Sequence, residues 1–146
     1  MIVGGGWTRQ DGPLAWWLVV VNTGDVLAAN LAFYSAFEAR DLDAMADIWD
    51  HGDDVACTHP GWPTLHGWSR VGASWAALLS NGERLQFIVA DELVRVCGNV
   101  AWVACTENLL ADDGFGGTVA ALNVFEQQDD RWVIVAHHGS PVARKV

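Results

Sequence analysis

The chain has 146 residues, 51% of them apolar, with nine Trp and a formal net charge of −10. A chain of this length can bury a substantial core as one domain, and the apolar share argues against disorder. Only eight Lys and Arg stand against eighteen Asp and Glu. That balance leaves no cationic groove for a phosphate backbone, so no nucleic-acid partner is expected.

Cys57, Cys97 and Cys105 are odd in number and lack a C-x-x-C spacing. Neither a disulfide scaffold nor a zinc knuckle is indicated. Reduced thiols in strands of a cytoplasmic protein are expected instead. Residues 1–22 form an N-terminal extension, with the domain proper at 23–146. Its apolar run from Leu14 to Val21 falls short of the ~20 residues that span a bilayer. The run also lacks the basic start and small-residue cleavage site of a signal peptide, so no membrane association is expected. Trp16, Trp17 and Val19 to Val21 could add a strand or cap an apolar surface, and both readings stay open.

Thr23 or Asp25 is a candidate helix cap, followed by an inward stripe at Val26, Phe33 and Phe37 with Leu27, Leu31 and Tyr34 beside it. Asp41 opens a second, short helix, "DLDAMADIW". A polar break over His51 to Asp54 precedes the strand "VACTH". The Pro-containing loop then leads into a third helix, "WSRVGASWAALLS", which ends in turn chemistry at "NGE". Everything beyond alternates as long antiparallel strands: "LQFIVADELVRV", "VAWVACTENLLA", "TVAALNVFEQQ" and "RWVIVAHHGSP". Helix, helix, strand, helix and a four-strand meander make an α+β plan, with helices on one face of a curved sheet.

A two-residue turn at Asp129 and Asp130 would set Gln128 opposite Arg131, Phe125 opposite Ile134, Asn123 opposite Ala136 and Ala121 opposite His138. One face would then carry Ala121, Asn123, Phe125, Trp132, Ile134 and His138. The other would carry Leu122, Val124, Val133, Val135 and His137. A face that is apolar apart from one amide and one imidazole suits a pocket wall.

His59 ends the first strand before Pro60, which biases it toward extended geometry. Imidazole is suited to proton transfer near neutrality, and Trp62, Trp68 and Trp75 are available to shield it. The competing reading is a histidine that bonds a backbone carbonyl and stiffens the turn. His66 is expected to pad the start of the third helix. No H-x-H or helical H-x-x-x-H pair occurs, so no metal and no cofactor is expected. Glu107 sits in an otherwise apolar strand, either on a solvated face or as a buried acid partner of a histidine.

The strings "NLAFYSAFEARDLDAMADIW", "HPGWPTLHGWSRVGASW" and "NVFEQQDDRWVIVAHHGSP" resemble the SnoaL-like branch of the nuclear transport factor 2 (NTF2)-like superfamily, from about Asp25 to Val142. The resemblance implies an α+β cone: three N-terminal helices on a strongly bent, mainly antiparallel sheet that encloses an apolar pocket. It also implies a homodimer built on the sheet. The family includes ketosteroid isomerases, cyclases and dehydratases as well as non-catalytic modules, so the fold does not settle function.

The branch is distantly similar to ketosteroid isomerase, whose general base would fall at His59. The isomerase's oxyanion-holding Tyr would fall at Phe33, which cannot donate a hydrogen bond, and neighbouring Tyr34 is expected to point elsewhere. The second oxyanion donor would fall at Leu122 or Asn123. The expected catalytic set is therefore His59, His138 and Asn123. The candidate lining is Phe33, Tyr34, Trp62, Trp68, Trp75, Phe87, Glu107 and Phe125, around a small apolar ligand. Two functions follow: cofactor-free proton transfer of the isomerase, cyclase or hydratase type with a His base, or a non-catalytic ligand-binding or dimeric assembly module.

Overall fold

A computed structural model describes residues 13–81 and 83–143, with side chains from Thr23 onward. The part of the extension at residues 1–12 lies outside the described residues. Helices α1 (Pro13–Ala39), α2 (Leu42–Ile48) and α3 (Trp68–Ser80) pack on strands β1 (Ala56–Thr58), β2 (Leu65–His66), β3 (Leu85–Cys97), β4 (Val100–Ala111), β5 (Gly114–Gln128) and β6 (Arg131–Pro141). The sheet runs β2-β1-β6-β5-β4-β3, antiparallel except for the parallel β1–β6 pair. This is the expected α+β cone.

α1 begins at Pro13 and not at a cap near residue 23, and proline's fixed φ suits a first helical position. The helix backbone takes in Leu14 to Val21, the run that a strand could also have claimed. From Val26 onward one stripe is buried: Val26, Asn30, Phe33, Tyr34 and Ala36, with Phe37 half-buried. Leu31, expected beside that stripe, is 66% exposed. Arg40 closes the helix in the left-handed region (φ 56°), and its Nε donates to the Leu79 carbonyl at 2.9 Å. Asp41 caps α2, its Oδ1 accepting from Ala44 N at 2.9 Å. α3 buries Val71, Ser74, Trp75 and Leu79. His66, expected to pad α3, lies in the two-residue strand β2 and is exposed.

Three bulges bend the sheet, the one on β5 leaving Gly116 unopposed between Phe115 and Gly117. On β3, Asp91 and Glu92 together oppose the single Cys105 between Ala90 and Leu93, with Asp91 at φ 54°. On β6, Phe125 pairs with Ile134 but Val124 pairs with Ala136, leaving Val135 unopposed. An extra residue increases local twist and re-aims the side chains beyond it. The cause on β6 lies next door. Ile134 gives its carbonyl to Asp50 N at 2.9 Å and bridges Trp49, whereas Ala136 to His138 pair with β1.

The β6 bulge corrects the expected faces. Gln128 opposes Arg131 and Phe125 opposes Ile134 as predicted, but Asn123 opposes His137 and Leu122 opposes His138. His137 is therefore buried inside the cone. His138 is exposed on the outer face, its Nε2 3.0 Å from Ser140 Oγ. The core joins the inward faces of all three helices to Ala101, Val103, Cys105, Ala121, Phe125 and Ile134 of the sheet. No described helix is long and apolar enough to cross a membrane.

Candidate functional site

A cavity of about 180 Å³ lies between the helices and the concave side of the sheet. Phe33 and Phe37 of α1, Trp75 and Leu78 of α3, and Leu85 and Phe87 of β3 form its apolar walls. His59, Pro60 and Trp62 contribute from the end of β1 and the loop after it, Glu107 and Leu109 from β4, and His137 from β6. An apolar protein cavity of roughly 150 Å³ holds benzene, so this one accommodates a single small ring. Beside it, a vestibule of about 470 Å³ is bounded in part by Phe37, Trp62, Leu78 and Leu85, which also line the inner cavity. Trp62, 43% exposed, stands between the two.

His59 is 3% exposed. Its Nε2 lies 2.8 Å from Ser74 Oγ, and that hydroxyl donates to the Val71 carbonyl at 2.7 Å. Ser74 has one proton and spends it on α3, so His59 Nε2–H is the donor and Nδ1 keeps its lone pair. The Cys57 thiol, a weak donor whose pKa burial pushes up to about 12, lies 3.9 Å from Nδ1 and 3.8 Å from Nε2. Desolvation holds the His59 pKa down at about 4, so the ring is neutral at pH 7. Trp75 and Trp62 meet the imidazole in edge-on geometry, with centroids at 4.6 and 5.0 Å.

His137 has the opposite tautomer. Asn123 Oδ1 lies 2.5 Å from Nδ1 and can only accept, so Nδ1 carries the hydrogen and Nε2 the lone pair. Asn123 is oriented in turn by donating through Nδ2 to Asn30 Oδ1 at 2.7 Å and to Tyr34 Oη at 3.4 Å. Burial, then the nearby imidazoles of His59 and His138, lower the His137 pKa to about 3.

Glu107 is buried, and Tyr34 Oη donates to its Oε1 at 2.7 Å. Desolvation raises its pKa to about 6, against the opposing effect of the Tyr34 hydrogen bond. The same burial, with the Glu107 charge beside it, pushes the Tyr34 pKa far up, so the phenol keeps its proton. The one ion pair among the described residues joins Arg131 to Asp47 at the surface. Among these residues Glu107 has no cationic partner.

Of the expected site residues, His59, Phe33, Trp62, Trp75, Phe87 and Glu107 meet at the cavity. Tyr34 points inward, contrary to expectation, but stands behind Glu107. Asn123 is fully buried behind His137 and does not line the wall. Phe125 belongs to the packed core, and Trp68 stacks on His51 (centroids 4.2 Å, interplanar angle 3°) away from the cavity. His138 is replaced by His137. Sequence reasoning also missed Asn30 and Ser74, polar residues buried on the inner faces of α1 and α3. Their place in the helical stripes, four residues from Val26 and three from Val71, is the signal that could have found them.

No described cluster of His, Cys, Asp and Glu could hold a metal ion. The model of the SnoaL-like domain matches residues 26–144. An NTF2-like family structure from Streptomyces avermitilis, provisionally named a dehydratase, is 39% identical, covers 86% of this chain and 99% of its own, and superposes with a TM-score of 0.80. A domain from Thiobacillus denitrificans, provisionally named a calcium/calmodulin-dependent protein kinase type II association domain, is 36% identical over 80% of this chain and 94% of its own (TM-score 0.70). The F-box protein SKIP8 of Arabidopsis thaliana is 31% identical over 135 residues, 90% of this chain. The chain spans 57% of that relative's length.

Proposed function

The chain belongs to the SnoaL-like domain family, and on that premise we propose that its inner cavity binds a small, largely apolar molecule and performs cofactor-free proton transfer on it with His59 as base. One observation carries the reading. Two neutral imidazoles, locked by Ser74 and Asn123 in opposite tautomers, each leave an unprotonated nitrogen on a ring that walls an aromatic cavity. A general base must be unprotonated at working pH and held in place, and both conditions are met here, while the desolvation that keeps His59 neutral also weakens it as a base. Glu107, with a pKa of about 6, is placed to take up and return a proton near neutrality.

Enolisation of a ketone fits this set poorly. The protons of His59, His137 and Tyr34 all go to protein partners, so none of these groups is free to hold an oxyanion, a deficit worth ~3–4 kcal/mol of barrier. An elimination or addition of the hydratase type needs bases and one proton carrier, which fits the residues present and the provisional name of the Streptomyces relative. The reading is tested by incubating the protein in D₂O with small ring compounds and following C–H to C–D exchange by NMR. Exchange that His59→Gln abolishes supports it. Exchange indifferent to His59→Gln, or none with compounds that bind, overturns the catalytic role. The second outcome favours the non-catalytic module, a reading also encouraged by the modest cavity and the relative named as an association domain.

The sheet's outer face supports a homodimer as part of this proposal. Leu93 and Leu122 are 61% and 41% exposed there, beside half-buried Trp102 and Val124. Three free thiols fit a reducing, cytoplasmic setting.

A further inference from the structure

The polar atoms around the cavity have a chemical bias. The donors have partners behind the wall: His59 Nε2–H on Ser74, Ser74 O–H on Val71, His137 Nδ1–H on Asn123, and Tyr34 O–H on Glu107. The Trp75 indole N–H is fully buried without a partner, so the cavity meets carbon on that ring. Apart from the indole of half-exposed Trp62 at the mouth, what remains is acceptor: His59 Nδ1, His137 Nε2 and the Glu107 carboxylate. A carboxylate buried with no cation beside it is costly to the protein alone, and a cationic ligand relieves that cost. Five aromatic side chains, Phe33, Phe37, Trp62, Trp75 and Phe87, complete the lining, and aromatic enclosures favour organic cations through their ring quadrupoles.

We propose that the cavity is a receptor for a small primary ammonium, a protonated amine on a hydrocarbon ring or short chain, whose N–H donors meet Glu107 and the free nitrogens of His59 and His137. The ammonium has donors and no acceptor, the complement of this wall. Neither histidine competes for the carboxylate, because both rings stay neutral. The net charge of −10 draws cations toward the protein. At the vestibule Arg40 and Glu83 supply one charge of each sign and leave the approach without bias. The proposal rests on the inner cavity being a ligand site and names the class of ligand that it takes.

Cyclopentylammonium, cyclopentanol and cyclopentanecarboxylate have similar size and differ in the charge and hydrogen-bond donors of the head. Their binding to the full chain is measured by ligand-observed NMR at pH 7.5 and pH 5. The ammonium is expected to bind at least about tenfold tighter than either isostere at pH 7.5. The preference should shrink at pH 5, where Glu107 gains its proton while the amine stays charged. The groups facing Glu107 from α1, β1, β4 and β6 are Tyr34, His59, Cys105 and His137, and none is cationic at either pH. Glu107→Gln, which keeps the shape and the acceptor for Tyr34, should lose the preference while still binding cyclopentanol. Cyclopentanol binding as tightly as the ammonium would overturn the proposal and leave the cavity a ligand site. Failure of all three probes would overturn the cavity reading itself.

Discussion

Two buried neutral histidines make acid the most informative perturbation. The folded pKa values of His59 and His137 lie at about 4 and about 3, below the ordinary 6.5. Below pH 6.5 the unfolded chain therefore binds protons that the folded chain refuses, and stability falls with falling pH through that window. Between pH 8 and pH 4 each histidine removes ~3 kcal/mol. Glu107 acts in the opposite sense. Its raised pKa, about 6 against 4.5, means the folded state takes up its proton first, which returns ~2 kcal/mol over the same range. The net loss of ~4 kcal/mol is a large share of the roughly 5–15 kcal/mol that holds a domain together. Urea denaturation at pH 8, 6, 5 and 4 measures it, with His59→Gln and the His59→Gln, His137→Gln pair as controls. Wild type should lose stability steeply below pH 6, the single variant about half as much from its histidines, and the double variant none from them. Equal pH dependence in wild type and both variants would refute the burial of neutral imidazoles and the tautomer assignments built on it.

Ser74→Ala removes the acceptor of His59 Nε2–H and should cost ~1–2 kcal/mol in denaturation, with ¹⁵N NMR showing mixed His59 tautomers; an unchanged Nε2–H spectrum would contradict the assignment. Asn123→Leu leaves His137 Nδ1–H and Asn30 Oδ1 unpaired and should cost ~2–4 kcal/mol, more than an exposed-site substitution and measurable by thermal melting. Trp62→Ala is expected to change stability by less than ~1 kcal/mol, because the ring is half-exposed, yet to weaken small-ring binding in NMR titration. Leu122→Glu places a charge on the outer sheet face and should convert a dimer to a monomer by sedimentation, with a persisting dimer placing the interface elsewhere.

The elements were legible because each has its own periodicity. α3 spans the segment "WSRVGASWAALLS" read from its apolar spacing, and the β5–β6 turn falls at the two Asp residues. The site was legible where one residue type had one use: a His held extended by Pro60, and a Glu in an apolar strand. It was illegible where position depends on a neighbour far along the chain. The β6 bulge coincides with Ile134 bonding Asp50 and Ala136 bonding β1, and nothing in "RWVIVAHHG" marks which Val is extra. Alternation continued through Val135 brings His138 inward in place of His137. Asn30 was passed over for a related reason. An amide in a helix reads as surface unless its partner, here Asn123, is already known to be inside.

The comparison with a steroid isomerase sharpens once Tyr34 is placed. The resemblance puts Phe33 at the position of the oxyanion donor, and Tyr34 also enters the cone, so an inward phenol is still present. Its single proton goes to Glu107 at 2.7 Å, and it cannot also serve a substrate oxygen. The isomerase's phenol donates to its ligand, whereas this one donates to a carboxylate that lines the cavity. The same substitution of roles occurs at both histidines, whose protons go to Ser74 and Asn123. Ser74 and Asn123, which do not line the cavity, thus decide that each imidazole keeps a free acceptor and no free donor. A variant such as Ser74→Ala should change the site's chemistry with its lining intact, by letting His59 turn a donor inward.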